Sequence, residues 1–281
     1  MKKVILVLGG GGMKGLAHVG AWKALQESGV VVSEIIGTSI GALVGSCIAA
    51  GEEWEALAPR ALALTRKDII SLDGRTLLVN GIRRQSVFRD VAYRDYIRRT
   101  LPVERFDDLV LPMSMNAVDV ETGQTEWFGA GGRTDVALAD AVYASSALPV
   151  FFPPLMLEGR CYVDGGVRAS LPLERAAERG ADLIIAIDVS AGETKDSKDV
   201  ISKGMVAIQH RVYDIMANAQ RQGQLAAWSG PPIVHIRPRL DGFSTFDFEV
   251  TQYFLEEGYR ATRRALARVP ALAEDEFLTA D

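Results

Sequence analysis

Histidine and cysteine are scarce in this chain of 281 residues, which holds three of the first (His18, His210, His235) and two of the second (Cys47, Cys161). Two cysteines cannot build a disulfide framework, and both read as small buried apolar groups. No His, Cys and carboxylate set stands at ligand spacing, so neither a metal nor a cofactor is expected. No apolar run approaches the ~18 residues a membrane-spanning helix needs. The apolar stretch Val4 to Leu8 behind Lys2 and Lys3 is too short for a secretion signal, so a soluble, cytoplasmic protein is expected. Internal repeats, low-complexity blocks and any Pro/Ser-rich linker before residue 190 are also missing, which favours one domain over residues 1–281. With a formal net charge of −5, no nucleic-acid partner is expected.

Glycine, by contrast, is concentrated in two short motifs, GGGGMKG over Gly9 to Gly15 and GTSIG over Gly37 to Gly41. In the second, Ser39 has a glycine two residues to either side, the G-x-S-x-G pattern of a sharp strand-to-helix turn that pushes a serine hydroxyl out of the backbone. Val4 to Leu8 reads as a buried strand and Leu16 to Ser28 as a helix stopped by Gly29. Val30 to Ile36 then reads as a second strand and Ser39 to Ala50 as a helix closed by Gly51. Both motifs thus fall at the carboxyl ends of adjacent parallel strands, where backbone N–H groups of two helix N-termini converge. Gly10, Gly12 and Gly15 also satisfy G-x-G-x-x-G. A dinucleotide site needs an acid at the end of the second strand, and Glu34 stands before Ile35 and Ile36 rather than after them. A phosphate loop fails because Lys14 follows Met13, not glycine.

A serine needs a base to act as a nucleophile. None of the histidines has a neighbouring catalytic motif, and a lone histidine is more often structural. His235, in the strand-like Ile233 to Arg237, is the one triad candidate, with Asp188 as its acid. Asp164, in Tyr162-Val163-Asp164-Gly165-Gly166, is the better base. Asp-Gly is also a common turn former, but an apolar, proline-stiffened run from Ala144 to Pro154 precedes this one and suits the lining of an acyl pocket.

The glycine loop Gly10 to Gly15, the elbow Gly37 to Gly41, the segment Ala144 to Pro154 and the triplet Asp164-Gly165-Gly166 occur in the order found in the patatin-like phospholipases, which the sequence resembles. Weaker matches at Asn116 to Asp119 and Ala181 to Asp188 carry the likeness from residue 3 to about residue 190. The resemblance implies a three-layer α/β/α fold with a mainly parallel sheet and a serine lipid acyl hydrolase working through a Ser39/Asp164 dyad and a covalent acyl-enzyme. Gly10, Gly11, Gly12 and Ile40 would supply the oxyanion hole. Lys14, Gly15, Gly37, Gly41, Gly165 and Gly166 would support the motifs, with Lys14 either anchoring the loop or standing as an exposed charge. Where many relatives have asparagine after the triplet, this chain reads Val167 to Pro172. An acyl lipid or other acyl ester is the implied substrate, with transient contact to a membrane surface. A Ser-His-Asp esterase using His235 and a non-catalytic lipid- or acyl-CoA-binding regulator remain the alternatives.

Residues 52–105 read as a helical, cap-like insertion, with Glu52 to Arg66 and Ser86 to Leu101 as helices. Eight arginines between Arg75 and Arg105 stand against Asp90, Asp95 and Glu104. They form either a headgroup-facing surface or a solvated helix with pairs such as Asp90 with Arg94 and Asp95 with Arg99. Leu111 to Val120 and Thr125 to Phe128 predict a hairpin, Leu183 to Val189 a central strand, and 191–203 a mobile loop. Long helices are predicted over Gly204 to Trp228 and Glu249 to Arg268. Met205, Ile208, Val212, Ile215, Met216 and Ala219 form an apolar stripe whose default role is core packing, with a dimer face or lipid-facing surface next.

Overall fold

The computed structural model describes residues 2–71, 85–190 and 196–269. Strand β1 (Val4–Leu8) is buried along its whole length, as a strand covered on both faces must be. Its side chains alternate between two cores. Val4, Leu6 and Leu8 face one cluster together with helices α1 (Ala17–Glu27) and α2 (Ile40–Ala49). Ile5 and Val7 face a smaller one together with Leu173 and Ala176 of helix α7 (Leu173–Glu178). The period of two that builds a strand therefore produces the three layers: helices, sheet, helices.

Strand β2 (Glu34–Gly37) lies parallel to β1 with Leu8 opposite Gly37, so the two glycine motifs leave the sheet side by side. On the other side of β1 come strands β7 (Leu183–Ile187) and β8 (Ile233–Ile236), both parallel. Beyond β2 lies β3 (Met113–Asp119), which pairs with β2 through Met113 to Met115 only. Its other edge carries β4 (Thr125–Gly129), antiparallel, as the predicted hairpin requires. Past the end of β2, β3 pairs antiparallel with β6 (Arg160–Asp164), placing Asp164 opposite Ala117, and β5 (Leu155–Leu157) forms a hairpin with β6. The sheet is thus mixed: β1, β2, β3, β7 and β8 are parallel, as expected, while β4 and β6 run antiparallel to β3 and β5 antiparallel to β6. β2 and β6 approach one edge of β3 from opposite directions, and their chain ends meet.

Helices α3 (Trp54–Ala63), α4 (Arg66–Ile69) and α5 (Val91–Thr100) occupy the expected insertion. Pro59 sits inside α3, and α5 starts five residues later than Ser86. Residues 72–84, with Arg75, Arg83 and Arg84, lie outside the described residues. Helix α6 (Leu138–Ser146), which the sequence did not reveal, packs on β3 and β6. Of the expected loop 191–203, residues 191–195 are outside the described residues. Ser197–Ser202 forms α8, capped by the Asp196 carboxylate accepting the Lys198 N–H. Helix α9 (Met205–Ala226) follows, and α10 (Thr251–Leu266) packs along α1 through Phe254, Leu255 and Ala261. No helix of the described residues is long and apolar enough to cross a membrane.

Candidate active site

Ser39 stands between β2 and α2 with φ 56° and ψ −124°. A side chain in that region costs about 1–3 kcal/mol of strain, held by the surrounding structure. The holding contacts are visible: Thr38 N–H donates to Leu8 O at 3.0 Å, Gly41 N–H to Thr38 O at 2.8 Å, and Ser39 N–H to Ser145 Oγ at 3.0 Å. Gly41 is required because an added Cβ would lie 2.1 Å from the Leu8 carbonyl oxygen.

The glycine loop passes over the same spot. Gly12 has φ +61°, and a Cβ there would lie 2.4 Å from Thr245 O, so both conformation and space demand glycine. The Gly10 N–H donates to Ser170 O at 2.9 Å, which removes Gly10 from the expected oxyanion donors. The N–H groups of Gly11, Gly12 and Ile40 meet no acceptor among the described residues. Ile40 is the first residue of α2, where an orphan N–H is the rule. Lys14 is 2% exposed beneath the loop, which excludes the exposed charge.

Asp164 ends β6, and its Oδ1 accepts the Gly166 N–H at 2.7 Å. Burial raises its pKa to about 6, against the lowering effect of hydrogen bonds from the Ser39 hydroxyl and the Gly166 N–H. Gly165 leaves room for Asn116: a Cβ would come within 2.4 Å of the Asn116 side chain. Asn116 is fully buried. It donates to Gly165 O and Ala169 O, each at 3.1 Å, and accepts the Thr38 hydroxyl at 2.8 Å. One amide thereby ties the serine turn to the aspartate turn.

Ser39, Asp164 and the glycine loop line one cleft. Leu43, Leu64, Ile69, Leu148, Phe152 and Phe246 line it as well, so the end of α3, α4 and the run Ala144 to Pro154 contribute apolar surface, Leu64 being the residue that follows α3. α9 forms a wall through His210, Tyr213, Asp214, Asn218 and Arg221. His210 Nε2 shares a hydrogen bond with Thr245 Oγ1 at 2.8 Å, and Thr245 O accepts the Met13 N–H at 2.9 Å, so His210 braces the glycine loop. Sequence reasoning passed over this wall. The signal was there: polar residues 210, 214, 218 and 221 recur at helical spacing opposite the apolar stripe.

The other histidines stand apart. His18 is fully buried, its Nε2 2.8 Å from Gly9 O, and burial lowers its pKa to about 4. His235 Nε2 is 3.2 Å from Asp188 Oδ2, which also receives Arg221 Nε at 2.9 Å. Burial pushes Asp188 up, but the hydrogen bond from His235 and the Arg221 charge outweigh it and hold the carboxyl well below its usual range. Neither His235 nor Asp188 lines the cleft. β8 lies three strands from β2, roughly 14 Å at the usual strand spacing. The expected His–Asp pair exists, but it anchors α9 rather than meeting Ser39.

Most arginines described in the insertion are paired. Arg94 meets Asp140 at 2.7 Å and Asp90 at 3.8 Å, Arg98 meets Asp95 at 3.3 Å, and Arg99 pairs with Asp68 rather than with Asp95. These contacts favour the solvated-helix reading. Cys47 is buried as expected and its thiol is pushed up to about 12 by burial, whereas Cys161 is only half-buried. Among the described residues no cluster suits a metal ion.

A family model described as patatin-like phospholipase matches residues 6–177. An uncharacterised NTE family protein of Mycobacterium tuberculosis is 36% identical over 197 residues, covering 70% of this chain and 52% of that protein. Lysophospholipase NTE1 of Coccidioides immitis is 29% identical over 301 residues, covering 95% of this chain and 18% of its own. The chain thus spans about half the length of the mycobacterial relative and less of the fungal one. Among solved structures, VipD from Legionella pneumophila shares the fold with a TM-score of 0.56 at 17% identity, over 95% of this chain and 66% of that one. The family match runs from β1 through the glycine loop, the elbow and the Asp164 turn into α7, and on that ground the chain belongs to the patatin-like phospholipase family.

Proposed function

We propose that this chain is a serine acyl hydrolase that cleaves acyl esters of lipids through Ser39 and Asp164. The observation that carries the reading is the meeting of a strained serine turn and a buried carboxyl with raised pKa in one cleft. Asp164 takes the Ser39 proton as Oγ attacks the ester carbonyl. The tetrahedral oxyanion is received by the N–H groups of Gly11, Gly12 and Ile40, each such donor being worth about 3 kcal/mol of barrier. Collapse releases the alcohol, which takes the proton back from Asp164 and leaves the acyl group on Ser39. Water, deprotonated by the same carboxylate, then frees the acid. The apolar lining from Leu43 to Phe246 suits an acyl chain. Residues 52–105 act as a cap within a single domain, because described residues of this stretch, Leu64, Ile69, Tyr93 and Tyr96, line the cleft.

The test is covalent labelling with a fluorophosphonate together with turnover of short soluble esters. Wild type reacts at Ser39, and Ser39→Ala neither labels nor turns over while keeping its melting transition. Labelling of Ser39→Ala at the wild-type rate would overturn the proposal.

A further inference from the structure

Helix α9 is built inside out. Its 22 residues extend about 33 Å, and four of its charged and polar side chains, His210, Asp214, Asn218 and Arg221, line the cleft. Met205, Ile208, Val212, Ile215 and Met216 are between 43% and 75% exposed. Every exposed residue from 205 to 219 is uncharged, Gln209 and Ala219 completing the set. An ordinary surface helix carries its apolar stripe inward and its charges outward. The stripe that the sequence suggested for the core therefore lies on the outside, with no described residue burying it.

We propose that this outer face of α9 docks the protein on a lipid bilayer, with the helix lying in the interface beside the cleft. Three observations select a bilayer over a second copy of the chain. The same helix walls the cleft on its other face, so a bilayer against the stripe adjoins the space in which Ser39 and Asp164 lie. The exposed strip is about seven residues, far below the roughly 20–30 per side of a stable protein interface. Two of its largest members are methionines, flexible side chains that adapt to a fluid, unshaped partner. An interfacial helix sinks its apolar face about 5–10 Å into the headgroup boundary, and burying that face drives the binding. The use of this surface rests on the acyl-lipid reading above. The docking itself does not need catalysis.

The experiment is flotation of the Ser39→Ala protein with phosphatidylcholine vesicles, at about 0.1 M and about 1 M salt. The protein co-floats, and the higher salt leaves binding in place. Adding Ile208→Gln, Val212→Gln, Ile215→Gln and Met216→Gln raises the lipid needed for half-binding at least about tenfold. In the Ser39-containing background the same four changes leave kcat/KM on a short soluble ester unaltered. As a separate readout, Val212→Trp shifts its emission to the blue when vesicles are added, relative to the parent protein, and this stands whether or not the four-glutamine variant folds. Absence of flotation, equal flotation of the four-glutamine variant, loss of binding at high salt, or no shift from Val212→Trp would each overturn the proposal. So would a dimer in sedimentation that the glutamines dissociate. Failure of the Ser39 reading would instead appear as soluble-ester turnover by Ser39→Ala, with flotation unaffected.

Discussion

Asp164→Asn should make the protein more stable and almost inactive, and pH should control the first effect. Asp164 moves from an ordinary value of 3.8 to about 6 because folding buries its carboxyl. A gap of that size is worth about 3 kcal/mol. The folded pKa lies above the unfolded one, so folding favours the protonated form. The contribution is fully present below pH ~4 and is lost as pH rises through about 6. At pH 8 wild type therefore carries a buried carboxylate that opposes folding. Asparagine is neutral at every pH, and its Oδ1 can accept the Gly166 N–H that Asp164 receives at 2.7 Å. The variant should gain up to about 3 kcal/mol at pH 8, equivalent to a melting temperature higher by about 6 °C, and gain nothing at pH 4. Its kcat/KM on a soluble ester should fall by about 10²–10⁴ for want of the base. Wild-type kcat/KM should rise with pH along a limb centred near 6. The assay is ester turnover and calorimetric melting of both proteins at pH 4, 6 and 8. Undiminished turnover by the variant, or a stability gain that is the same at pH 4 and pH 8, would refute the reasoning.

His235→Ala should keep most ester turnover, because the imidazole faces Asp188 rather than Ser39. It should lower stability above about pH 4, where ionised Asp188 needs its partners, as melting curves at pH 5 and 8 would show. Gly12→Ala forces a side chain to φ +61° and against Thr245 O; turnover should drop at least about tenfold while labelling by the phosphonate slows in parallel. Asn116→Ala removes three hydrogen bonds that join the serine and aspartate turns; it should cost about 3 kcal/mol in chemical denaturation and reduce kcat more than it raises KM.

Local chemistry made part of this protein legible in its residues alone. Val4 to Leu8 could only be a doubly covered strand, and the glycines after it could only open a helix. Gly37 to Gly41 marked a turn that exposes a serine, because a turn's residue requirements are met within a few positions of chain. The same locality identified Asp164 as the end of a short strand before two glycines. What no window of sequence contained was the meeting of those two ends. It follows from β2 and β6 sharing one edge of β3 in opposite directions, with Asp164 set opposite Ala117 where β2 has already turned away. Pairing between distant segments also made the sheet mixed, since β4 and β6 run against β3 and β5 returns antiparallel to β6, where a repeated β-α-β pattern would predict parallel strands only. Periodicity found the apolar stripe of α9 but could not give its direction. A helix has one hydrophobic face in any frame, and only the packed structure, by turning His210, Asp214 and Arg221 toward the cleft, decided that this face looks outward.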